Sequence, residues 1–65
     1  MIEELDVVVL CREHRAHGLV PGDVGTVVCL LGPKTAAVEF VRPDGFLREL
    51  ADLPTADLLI VIKHS

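Results

Sequence analysis

Val38-Glu39-Phe40-Val41-Arg42-Pro43-Asp44-Gly45-Phe46-Leu47-Arg48-Glu49-Leu50 is the stretch from which the rest of the fold follows. Pro43 presets its φ, Asp44 caps the turn with its side chain, and Gly45 accepts a positive φ. On the near side, Val38 and Phe40 share one face while Glu39 takes the other, the alternation of a half-buried strand. The reading is a hairpin that joins a strand over 36–42 to one over 46–51.

Outward from this hairpin, short β-branched runs alternate with turn residues. Leu-Asp-Val-Val-Val-Leu-Cys at 5–11 is of strand length, as is 24–31, which is closed by Gly32-Pro33. Between them, 12–23 is polar, carries His14, His17, Gly18, Pro21 and Gly22, and reads as one long loop. Leu53-Pro54-Thr55-Ala56-Asp57 is too short for an ordinary helix, but its proline suits a single 3₁₀ turn. A fifth strand follows at 58–62, and Lys63-His64-Ser65 reads as a frayed end. No apolar stripe of helical period runs anywhere. Five short strands, a long first loop and a 3₁₀ turn before the last strand predict an all-β, SH3-like five-stranded barrel. It forms one domain over 1–65, and near closure protects the edges of so small a sheet.

Composition narrows the function. Six Lys and Arg against ten Asp and Glu give a net charge of −4, the wrong sign for a phosphate-binding surface. Phe40 and Phe46 are the only aromatics, too few for a base-stacking platform. Hydrophobic residues make up 51% of the chain, which excludes a disordered segment. The longest uncharged run, 24–33, falls well short of the roughly 20 residues of a membrane span. Two cysteines behind an acidic N-terminal stretch lead us to expect a reduced, cytoplasmic protein.

Several segments resemble a family of very short bacterial proteins of unknown function: Glu4-Leu5-Asp6-Val7-Val8-Val9-Leu10, His17-Gly18-Leu19, Pro21-Gly22-Asp23-Val24-Gly25-Thr26-Val27-Val28 and Val38-Glu39-Phe40. The resemblance covers nearly the whole chain and is most specific in the Gly-Asp-Val-Gly-Thr-Val block. It implies an SH3-like barrel, and an antitoxin or immunity role beside small toxin-like genes. It carries over no catalytic or binding residue. Cys11, Cys29 and the apolar tail 58–62 depart from the family pattern. The same glycine block is also similar to the motif of ribosomal and transcription-factor SH3-like modules. Its physical basis is a turn at Gly22-Asp23 and, at Gly25, a strand bend or a close backbone neighbour.

Candidate chemistry is sparse. Cys11, His14 and His17, with Cys29 across the sheet, offer thiolate and imidazole donors for zinc. Their irregular spacing instead favours structural, reduced, metal-free cysteines packed among apolar neighbours. His17 is expected to serve the loop turn with Gly18. Glu3, Glu4 and Asp6 are expected to form a solvated charge run. Nothing meets the needs of nucleophilic catalysis, so the expectation is a non-enzymatic protein without a cofactor.

One feature asks for a partner. The first, second and fifth strands are apolar on both faces, whereas one small barrel has one interior. The sequence leaves open which face lies inside. Val8, Leu10, Val27, Cys29, Leu31, Leu59 and Val61 are taken as the interface set of a homo-oligomer or of a protein–protein contact. The acidic balance suits a basic partner such as a toxin. The alternatives are a nucleic-acid or ribosome-associated module and a small metal-binding domain.

Overall fold

The computed structural model describes residues 1–41, 45 and 48–64. Five strands are present: β1 (Val7–Leu10), β2 (Val24–Leu30), β3 (Thr35–Val41), β4 (Arg48–Pro54) and β5 (Leu58–Ile62). Single 3₁₀ turns occupy Arg15–His17 and Thr55–Asp57. The strands form one antiparallel sheet in the order β4-β3-β2-β1-β5. The expected all-β, five-stranded architecture and the 3₁₀ turn before the last strand are therefore present. The ladders run as an open order, with β4 and β5 at its edges.

The strands expected to pair across the Pro43-Asp44-Gly45 turn do so, from Val41 opposite Arg48 to Thr35 opposite Pro54. Pro43 and Asp44 lie outside the described residues, as do Phe46 and Leu47 at the expected start of the fourth strand. Gly45 has φ 74°, the left-handed value that the turn reading required. β4 extends through Leu53 and Pro54, which the sequence had assigned to the turn, because Ala36 and Thr35 continue the ladder opposite them.

β1 begins at Val7 rather than at residue 5. Leu5 takes φ 71° in a tight turn, with its N–H donating to the Val27 carbonyl and the Asp6 N–H to the Glu3 carbonyl. A second turn enters β2. The Gly22 N–H donates to the Leu10 carbonyl, Gly22 has φ 99°, and the Asp23 carboxylate accepts from the Val20 N–H. This is the local work of the Pro-Gly-Asp sequence.

The core takes Val8 and Leu10 from β1, Val27 from β2, Val38 and Phe40 from β3, and Leu53 from β4, with Leu58, Leu19 and small alanines filling the rest. This corrects the expected interface set. Val8, Leu10 and Val27 are buried, because the even face of β1 is the inner one and Val8 pairs with Gly25 against β3. The rest of that set does not share one face. A bulge makes Val28 an extra residue between the Val27–Val38 and Cys29–Ala37 pairs, and the alternation is lost there. Cys29 is half-buried and Leu31 exposed in consequence.

Candidate interaction surface

Residues directly opposite in an antiparallel ladder project to the same side of the sheet. Val9 pairs with Val24 on β2 and with Leu59 on β5, and Val7 pairs with Thr26 and with Ile62. Two cross-strand rows result, Val24-Val9-Leu59 and Thr26-Val7-Ile62, on the face turned away from Val8 and Leu10. Val7 and Val9 are half-buried within it, while Val24 is 51%, Leu59 62% and Ile62 60% exposed. Val61, the extra residue of a bulge between the Ile60–Val8 and Ile62–Val7 pairs, is also exposed. An aliphatic patch spanning three strands is more than the scattered exposure of an ordinary monomer surface. Of the residues expected at an interface, Leu59, Val61 and Leu31 are exposed. Val24, Val7 and Val9 stand on the opposite parity of β1 and β2 to the expected set, and Ile62 joins them because the bulge at Val61 shifts the alternation of β5.

Beside this patch lies a groove of about 420 Å³ bordered by His17, Val20, Asp23, Val24, Val41 and Glu49, with Phe40 beneath. His17 Nδ1 lies 2.7 Å from Glu49 Oε2, which ties the first loop to β4. Gly18, at φ 67°, closes the 3₁₀ turn with its N–H donating to the Arg15 carbonyl, so His17 does sit at a loop turn. At the other end of that loop, His14 Nε2 lies 3.0 Å from Asp57 Oδ2, and Arg12 Nε 3.5 Å from Asp57 Oδ1. Both imidazoles thus face carboxylates rather than Cys11 or Cys29. Among the described residues, no group of three or more His, Cys, Asp or Glu side chains could hold a metal ion.

The cysteines are free, but their surroundings differ from expectation. Cys11 follows the outward parity of Val7 and Val9 and is exposed, its thiol 3.8 Å from the Val9 carbonyl. Cys29 is half-buried. Neither belongs to the core.

A polar cluster that the sequence reading missed joins the chain's two ends. Asp6 shares the inward parity of Val8 and Leu10 and is fully buried, not part of a solvated acidic run. Its Oδ2 accepts from Lys63 Nζ at 2.8 Å and from the Glu3 N–H at 2.9 Å, and its Oδ1 accepts from the His64 N–H at 2.8 Å. The ammonium also reaches Glu3 Oε1 at 2.8 Å and the Met1 carbonyl at 2.6 Å. Lys63 and His64 are therefore held rather than frayed. The Lys63 hydrogen bond, followed by that from the His64 N–H, brings the Asp6 carboxyl down from its ordinary 3.8 to about 2 against the opposing effect of burial. The same bond, with help from Glu3, raises the Lys63 ammonium above its usual range. Parity was the available signal: Asp6, Val8 and Leu10 are two residues apart.

The fold and surface define a small all-β protein whose Asp6–Lys63, His14–Asp57 and His17–Glu49 pairs tie together its own loops and ends, and whose outer face is unusually aliphatic. The chain belongs to the family described as a domain of unknown function, DUF4926, whose pattern matches residues 4–60. This agrees with the resemblance drawn from the sequence to a family of very short proteins of unknown function. No curated protein and no solved structure matches the chain. Among the described residues, no helix is long and apolar enough to cross a membrane.

Proposed function

We propose that this protein is a non-enzymatic interaction module with an SH3-like barrel architecture, the antitoxin or immunity half of a two-protein pair. The observation that carries the reading is the outward aliphatic patch of Val24, Val9, Leu59, Val7 and Ile62, held on three hydrogen-bonded strands. A rigid apolar patch gains free energy when a partner removes it from water, at about 25 cal/mol per Å² of apolar surface, less the cost of association. The net charge of −4 favours a basic partner, through faster encounter and complementary potential. The strand order, with β5 returning beside β1 after a 3₁₀ turn, supports the barrel reading.

The test compares the purified protein with a Val24→Lys variant as baits for a basic protein from the native cells. Val24 is exposed, so the variant is expected to fold, as circular dichroism would check. Capture by the native protein that is weakened at least tenfold in the variant supports the reading. Equal capture by both, or no specific partner for either, overturns it.

A further inference from the structure

The two edges of the sheet are built differently. β4 carries Glu49 and Asp52 and ends in Pro54, the charges and proline that discourage edge-to-edge pairing. β5 reads Leu-Leu-Ile-Val-Ile, with neither charge nor proline. Among the described residues it is bonded on one side only, to β1, and four of its five side chains are exposed.

The direction of its unpaired backbone groups follows from the ladder. Leu10 lies opposite Leu58, and the adjoining Cys11 N–H donates to the Asp57 carbonyl. That pattern marks Leu10–Leu58 as a non-hydrogen-bonded pair. The N–H and C=O of Leu58, and by alternation those of Ile60, therefore point away from β1 toward the open edge. Leu59 bonds inward to Val9.

From this geometry we infer that β5 pairs antiparallel with β5 of a second copy of the chain, about a two-fold axis at Leu59. In this register Leu58 and Ile60 of one copy exchange backbone hydrogen bonds with Ile60 and Leu58 of the other, and the two Leu59 side chains meet across the axis. The register uses only the regular part of β5 and leaves the bulge at Val61 outside the paired segment.

The strand's surroundings argue for a second copy as occupant. About this axis the edge is isologous, so Leu58 faces Ile60, Ile60 faces Leu58 and Leu59 faces Leu59 of the second copy, aliphatic against aliphatic throughout the paired segment. Charge at the two ends is already paired within each copy: Arg12 lies against Asp57 near the Leu58 end, and Lys63 against Glu3 and Asp6 at the other. Antiparallel pairing sets one ion-paired end of each copy beside the other ion-paired end of its partner. Repulsion between two chains of charge −4 is screened beyond about 8 Å at physiological salt.

This inference rests on the reading of the protein as an interaction module, and assigns the edge of that surface to self-association. Two measurements test it. Sedimentation from about 10 µM to 1 mM spans the affinities of small interfaces. Across it, the mass is expected to rise from the 7.0 kDa of one chain toward twice that value. In a chain lacking Cys11 and Cys29, Leu59→Cys is expected to form a disulfide-linked dimer under mild oxidation. Facing residues of a non-hydrogen-bonded pair lie about 4.5 Å apart at Cα, within disulfide range. Leu50→Cys, equally exposed but on the β4 edge, is expected to cross-link at least tenfold more slowly. A single-chain mass throughout, or equal cross-linking at 59 and 50, overturns the inference. Because Val24 lies off this edge, capture of a basic partner through Val24 would leave the functional reading standing in that event.

Discussion

Gly25 sits on β2 between two neighbours, opposite Val8 on β1 and Phe40 on β3. A Cβ at this position would lie 2.7 Å from Val38 Cγ1, 2.8 Å from the Glu39 carbonyl oxygen and 2.9 Å from Phe40 Cδ1. Comfortable carbon contacts are about 3.5–4.0 Å. Val38 cannot easily turn away, since a β-branched side chain has few χ1 options and this one is fully buried. The Glu39 oxygen is backbone within the β2–β3 ladder, so relieving that contact shifts two strands. Overpacking of this kind costs about 1–3 kcal/mol. Against it stands the lower chain entropy of unfolded alanine, worth about 0.4–1 kcal/mol. Gly25→Ala is therefore expected to destabilise the protein by about 1–2 kcal/mol, and to lower Tm by about 5–15 °C in a domain of this size. Urea titration followed by circular dichroism measures it, with the double variant Gly25→Ala, Val38→Ala as the internal check. If the clash is real, the second substitution costs less in the alanine background than alone. An unchanged or raised midpoint for Gly25→Ala would refute the close-packing account of the glycine block.

Gly45→Val is expected to cost more than about 1 kcal/mol in the same assay, because a β-branched residue is strained at the φ of 74° found there; an unaltered midpoint would contradict that turn geometry. Asp6→Asn is expected to lower the urea midpoint at pH 7. For the native protein, the contribution of Asp6 is fully present above its unfolded value of 3.8 and is lost as pH falls toward about 2, so the two proteins should converge in acid; parallel profiles would sink the assignment. Cys11→Val is expected to change stability by less than about 0.5 kcal/mol because the thiol is exposed, and Cys29→Val by at most about 1 kcal/mol; a larger loss at Cys11 would indicate a contact that its exposure denies.

Much of the fold was legible from short-range chemistry. β-Branched runs separated by Gly, Pro and Asp define five strands whatever surrounds them, since turn residues act through their own φ preferences. Gly45 and Gly22 carry their positive φ where the sequence put turns, and the Pro43-flanked strands pair as expected. Which face of those strands lies inside was not legible. Val7 and Val9 are as apolar as Val8 and Leu10, so local pattern gives both faces the same hydrophobic weight. Only the ladder to β2 and β3 decides, because Gly25 beneath Val38 leaves room on one side and Leu19 and Phe40 close over it. The bulges at Val28 and Val61 then break the period on which any parity argument depends. Asp6 shows the same limit. Read locally it is one acid in an acidic stretch, and it becomes a buried carboxylate because β5 brings Lys63 and His64 to it from the far end of the chain. Strand identity is set by neighbours a few residues apart, whereas burial and charge pairing are set by residues that meet only when the sheet has formed.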